Sequence, residues 1–233
     1  SGAQAGGGTG IGGSMARFSI VNNYLYTVGQ QYLTSFNISS PAEPLQENKQ
    51  SAGWNIETIY PFKNALFIGA QTGMFIYDIT SPAAPVRTGT FSHACFNDPV
   101  IADDHYAYVT LRARTDVSTC WGAPAVQRNE LDIINIENLQ NPVLLKVYDM
   151  VAPQGLSKDG DLLFICDSEG GLKIFNAANP LALQLVKNFT GINPFDVIAQ
   201  AGHAIVVAKN GIYQYDYSDA GNIRLLSKMA IDK

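Results

Sequence analysis

ALFIGAQTGMFIYDITSPAAPV, residues 65–86, reads as a strand, a turn containing Gly, a second strand and a polar exit rich in Pro. YLYTVGQQYLTSFNISSPAEPL, residues 24–45, has nearly the same shape, and so does LLFICDSEGGLKIFNAANPLAL, residues 162–183. Self-similarity at a fixed period is the mark of a repeat architecture. Aligned on the apolar centres Tyr26, Phe67, Tyr108, Phe164 and Val206, the copies are spaced by 41, 41, 56 and 42 residues. Five units follow, one of them carrying about 15 extra residues, which fall in RARTDVSTCWGAPAVQRNE, residues 112–130.

Each unit has four short apolar runs. A first (RFSIV, IETIY, PVIAD, GLSKD, FDVIA) leads through a polar turn into a second (YLYTV, ALFIG, YAYVT, LLFIC, AIVVA). A third follows (LTSFNI, MFIYDI, LDIINI, LKIFNA, IYQYDY), then an Asn/Ser/Pro-rich turn and a closing run. Such alternation and punctuation spell strands, and no segment keeps a helical period. Four antiparallel strands per unit of about 41 residues is the plan of a propeller blade. The chain is expected to be all-β, a five-bladed β-propeller with blades near 15–53, 54–94, 95–151, 152–192 and 193–233. Its ring would close by packing between blades one and five.

Composition agrees. Hydrophobic residues make up 46% and charged residues 15%, and eleven Phe with eleven Tyr outweigh four Met, a balance that favours strands. The net charge of −5 is spread without a Lys/Arg cluster, which argues against nucleic acid as a partner. No run approaches the apolar length needed to span a bilayer as a helix. The opening SGAQAGGGTGIGGS reads as a flexible leader over residues 1–14, of the kind that tethers a domain to a surface. A lipid anchor, if present, would precede Ser1.

The GGSMARF start, the YLY and LFI second strands and the x-I-x-D/N-I-x-x-P-x-x-P turns resemble the LVIVD-repeat proteins of bacterial surfaces and secretions. The resemblance runs over residues 10–233. It implies a propeller in an extracytoplasmic setting and no particular reaction. The position that follows the third strand is Asp78 and Asp216 in two units and Asn37, Asn135 and Asn176 in the others. Either side chain is suited to cap the turn after it.

Three cysteines occur. Cys166, within LLFIC, reads as a buried apolar residue. Cys95 lies just before the third unit's first strand and Cys120 within its insertion, and an oxidising compartment would let them pair as a disulfide that pins the long loop. The other reading is two free thiols; metal binding by the pair lacks further ligands at suitable spacing.

Gly8-x-Gly10-x-x-Gly13 matches a dinucleotide fingerprint but lacks the strand and helix the motif needs. Gly12–Ala16 resembles a nucleophile elbow, again without its context. The sequons Asn37-Ile-Ser39 and Asn188-Phe-Thr190 carry no weight at this chain length, and His93, His105 and His203 form no triad.

One constellation remains. Counting ten residues back from each reference position gives Ala16, Glu57, Asp98, Gln154 and Asp196, with Arg17, Thr58, Pro99, Gly155 and Val197 beside them. Innermost strands line the channel, so these residues would ring one mouth, joined by Arg17 and overlooked by Trp121 of the insertion. Converging carboxylates need compensation by Arg17, a cation such as Ca²⁺, or raised pKa values. The expected function is an extracytoplasmic binding or scaffolding module whose partner is a surface protein or a carbohydrate. The alternative is a carbohydrate-active hydrolase using Glu57, Asp98 and Asp196 as acid, base or nucleophile.

Overall fold

The computed structural model describes residues 12–93, 96–97, 99–113, 119–120, 123–124 and 128–231. Five antiparallel four-stranded sheets follow one another along the chain. From innermost to outermost strand, blade one runs Phe18–Val21, Tyr24–Val28, Tyr32–Asn37 and Leu45–Ser51, and blade two Ile56–Phe62, Ala65–Ala70, Gly73–Asp78 and Val86–Ser92. Blade three runs Val100–Ala102, Tyr106–Ala113, Glu130–Asn135 and Val143–Asp149, with Phe96–Asn97 pairing onto the end of its second strand. Blade four comprises Leu156–Asp159, Leu162–Cys166, Leu172–Asn176 and Gln184–Phe189, and blade five Pro194–Gln200, His203–Ala208, Gly211–Asp216 and Arg224–Ala230. This is the five-bladed propeller the repeat predicts.

Local chemistry explains the hairpins. In four blades the first two strands are joined by two residues, Asn22–Asn23, Lys63–Asn64, Gly160–Asp161 and Ala201–Gly202, with the first in left-handed conformation. Such turns match the twist of the strands they connect. The residues expected to cap the next turn do so in every blade. Asn37, Asp78, Asn135, Asn176 and Asp216 each accept, through Oδ1, the N–H two residues on, at 2.7–3.0 Å. Thr80 and Ser218 add their hydroxyls, and this holds the Asp78 and Asp216 carboxyls below the usual range. A bulge recurs between the third and outermost strands at Ser35, Ile76, Ile133, Ile174 and Gln214, strengthening the blade twist at one fixed place.

The core lies between blades, not within them. Four apolar clusters fill the seams. Tyr26 and Leu33 meet Ile59, Leu66 and Tyr77; Phe67 and Met74 meet Val100 and Val109. Tyr108 and Leu131 meet Leu156 and Leu163; Phe164 and Leu172 meet Val197 and Val206. The expected fifth seam differs. Among the described residues no apolar cluster joins blade five to blade one, and Ile205, Val207 and Ile212 of blade five and Phe18 of blade one are exposed. Cys166 is a buried free thiol, as its strand context predicts.

The leader also departs from expectation at its end. Ser14 is buried at 1% exposure, docked among the inner strands rather than swinging free. Residues 1–11 lie outside the described residues.

Candidate functional site

The innermost strands start together at one end of the channel. Strand pairing aligns Ser19, Tyr60, Ile101, Ser157 and Ile198 opposite Tyr26, Phe67, Tyr108, Phe164 and Ile205. The fifth reference position is therefore Ile205 rather than Val206, one residue earlier than the sequence alignment takes it. A slip of one residue turns every side chain to the other face. Phe195 consequently takes the place equivalent to Glu57, both lying in the register shift of their strands, while Asp196 falls level with Thr58.

Glu57, Gln154 and Arg17 do meet. With Thr58 and Arg112 they line a cavity of about 320 Å³, whose wall is completed by Met15, Pro99 and Pro153. The Arg17 guanidinium donates to the Ile56 carbonyl at 3.1 Å, which leaves most of its donors for other partners. Gln154 is held from three sides. Its side-chain amide donates to Ser168 Oγ at 2.7 Å, its N–H donates to the Cys166 carbonyl at 2.7 Å, and its carbonyl accepts from Thr110 Oγ1 at 2.6 Å. The loop that carries Gln154 is pinned by Asp167. This fully buried carboxylate accepts the N–H groups of Val151 and Ala152 and pairs with Lys173 Nζ at 2.6 Å. The polar groups at this mouth are thus set on a rigid frame.

Asp196 is elsewhere. A turn closed by the Ala16 N–H on the Gly13 carbonyl lies across the channel, and the Ala16 carbonyl accepts the Ile59 N–H. Ser14 Oγ accepts from the Leu156 N–H at 2.8 Å and donates to Asp196 Oδ1 at 3.4 Å. The Asp196 carboxylate also accepts the N–H groups of Val197 and Met15. Burial pushes it up to about 6 despite those hydrogen bonds, which act the other way. Met15 and Arg17 face the 320 Å³ cavity, whereas Gly12 and Ser14 face a second of about 410 Å³ that all five inner strands line. The turn divides the channel, and the carboxylate of Asp196 is part of the clamp.

That clamp requires glycine on both flanks. A β-carbon at Gly13 or Gly155 would be driven into the Asp196 carboxylate, and at Gly155 into its backbone as well. Gly155→Ala should cost about 1–3 kcal/mol by overpacking. Gly29→Ala, where a β-carbon meets nothing within 4 Å, should cost far less. Thermal unfolding of the two variants side by side checks this; equal melting temperatures would refute the packing around Asp196.

Asp98, Trp121 and Cys95 lie outside the described residues, as does the side chain of Cys120, and with them the expected disulfide. Cys120 itself sits in a short pairing of Thr119–Cys120 with Ala123–Pro124. Ser14 is the residue that sequence reasoning set aside too early. The adjacent Gly12–Gly13 pair, which permits close backbone approach, was the available sign that this segment packs. Exposed apolar side chains at the same end are Met15, Trp54, Val151 and Phe195.

The LVIVD repeat model matches residues 125–150, which span the third and outermost strands of blade three. No curated protein matches the chain. Among solved structures, the periplasmic gluconolactonase PpgL of Pseudomonas aeruginosa is 13% identical with a TM-score of 0.66, over 90% of this chain and 68% of that one. AztD of Citrobacter koseri is 12% identical with a TM-score of 0.64, over 90% of this chain and 61% of its own. A chain of a nidogen/laminin complex is 14% identical with a TM-score of 0.62, over 91% and 77%. Likeness at such identity carries the fold. Repeat spacing, sheet order and these superpositions agree, and the chain is a β-propeller that carries an LVIVD repeat in its third blade.

Proposed function

We propose that this propeller is an extracytoplasmic binding module that takes a carbohydrate at the mouth lined by Arg17, Glu57, Arg112 and Gln154. The observation that carries the reading is the convergence of donors (two guanidinium groups and an amide) with one carboxylate acceptor in one cavity of about 320 Å³. Concave sites with a few convergent polar groups are the usual binding locations. Guanidinium and amide donors beside a carboxylate acceptor suit the hydroxyls of a sugar, and Trp54 and Phe195 stand exposed at the same end as apolar faces for a sugar ring. The periplasmic placing of the structurally similar PpgL supports the compartment. No helix among the described residues is long and apolar enough to cross a membrane. A lipid anchor ahead of Ser1 would hold such a module at the cell surface.

Other expectations fare less well at this mouth. A hard cation wants several oxygen anions, and two guanidinium groups beside one described carboxylate repel it. The hydrolase needs an acid and a base across one bond. Asp196 is sealed under the turn, so Glu57 is the sole member of that trio lining the cavity among the described residues.

A glycan array followed by calorimetry on the strongest hit tests the reading. Arg112→Ala should weaken that hit at least about tenfold, the loss expected when a charged hydrogen bond of about 1.5–3 kcal/mol is removed. An unchanged circular-dichroism spectrum should accompany it. Absence of binding to any glycan at millimolar concentration, or equal affinity in the variant, would overturn the assignment.

A further inference from the structure

Every blade presents one face to the blade before it and one to the blade after. On the forward face the second strand contributes Tyr26, Phe67, Tyr108 and Phe164, and the third contributes Leu33, Met74, Leu131 and Leu172. None of these eight is more than 1% exposed. Pairing registers place Ile205 and Ile212 at the corresponding positions of blade five, where they are 48% and 36% exposed. Val207, level with the fully buried Cys166, is 41% exposed. The backward face of blade one shows the same break. Phe18 is 60% exposed, whereas its equivalents Ile59, Val100, Leu156 and Val197 do not exceed 1%. Single apolar residues on a surface need no explanation, but a contiguous patch built from positions that are core in four other copies does.

We propose that the forward face of blade five, Ile205, Val207 and Ile212 around Gln214, is a docking surface for a further β-blade. The partner is a four-stranded antiparallel sheet whose backward face carries small and branched aliphatics with tyrosine. The chemistry of that partner is displayed one seam earlier. Blade five itself offers Ala204, Val206, Ala208, Tyr213 and Tyr215 to Phe164, Cys166, Leu172 and Ile174 of blade four, and the three earlier seams are filled in the same way by buried apolar side chains from both blades. A pleated face of branched side chains is complementary to another sheet packed about 10 Å away. The superpositions point the same way: the arc of five blades accounts for 61% and 68% of the AztD and PpgL chains, so in those propellers a comparable arc is one part of a longer chain.

The test adds a sixth blade to the full chain by appending a second copy of residues 193–231 after residue 231, and follows position 205 with the variant Ile205→Cys. Thiol labelling of that position, read by peptide mass spectrometry, should slow at least about tenfold in the extended protein, as expected for a site that must open before it reacts. Light scattering should show a monomer. Placing Val206→Asp and Tyr215→Asp in the appended copy alone should restore fast labelling. An unchanged labelling rate in the extended chain would overturn the proposal. So would a dimer of the original chain in which position 205 is already protected, since the occupant would then be a second copy.

Discussion

Phe164→Ala should destabilise the protein by about 3–5 kcal/mol, whereas Ile205→Ala, at the same position one blade on, should cost about 1 kcal/mol or less. Both side chains lie at the centre of a second strand and point toward the following blade. Phe164 is fully buried, packs against Tyr217 with ring centroids 4.8 Å apart and the planes tilted by 56°, and belongs to the cluster that joins blades four and five. Truncating it removes a ring and leaves a void that two sheets cannot easily close, because each is locked by its own hydrogen-bond ladder. Ile205 is 48% exposed and leaves no cavity when cut back. Repeat symmetry alone assigns the two residues equal weight, so the contrast measures the break in symmetry directly. Denaturant midpoints at constant slope are the readout. Comparable losses in the two variants would mean that the fifth seam is packed in solution, and the docking surface would have to be abandoned.

The propeller was legible because its punctuation repeats at every scale. The Asx residues at 37, 78, 135, 176 and 216 mark the end of each third strand in sequence, and all five make the predicted bond. What the sequence hides is phase. HAIVVA contains three consecutive aliphatics, so Val206 is as good an alignment centre as Ile205 by hydrophobicity. Only the pairing of His203 with Asp216, matching that of Leu162 with Asn176, decides between them. That single step moves Asp196 out of the ring of Glu57 and sets Phe195 there. The closure of the ring was illegible for a related reason. A buried face and an open one are written with the same residue types, and whether Ile212 is covered depends on what stands opposite it. Ser14 was hidden by composition, since a Gly-rich run reads as a tether whether or not its glycines make room for a carboxylate.

The second large effect concerns a carboxylate that the fold holds at a disadvantage. Asp132, in the third strand of blade three and inside the segment matched as an LVIVD repeat, is 3% exposed, and its Oδ1 has no hydrogen-bond partner among the described residues. Burial pushes it up to about 7, repulsion from Glu130 adds to this, and the nearby His93 pulls the other way. The folded protein therefore binds this proton more tightly than the unfolded chain does. Below about pH 4 both states hold it and Asp132 is neutral to stability. As pH rises from 4 to 7 the unfolded chain releases the proton first, and folding stability falls. Above 7 the fold bears an ionised, poorly solvated group. The distance from the ordinary 3.8 to about 7 corresponds to about 4 kcal/mol. Asp196, raised to about 6, acts in the same sense. Asp103 acts oppositely at lower pH. Burial alone would raise it, but the N–H groups of His105 and Tyr106, Lys158 and the Tyr108 hydroxyl outweigh that and hold it low. Asp132→Asn keeps the shape and removes the charge. It should leave stability at pH 4 nearly unchanged and raise it at pH 8 by about 2–4 kcal/mol, with a shallower decline between, the remainder being due to Asp196. Urea melts of both proteins across this range provide the check. A variant that loses stability equally at pH 4 and pH 8 would show that the Asp132 carboxylate makes a favourable bond in the folded state, and the charge penalty would be refuted.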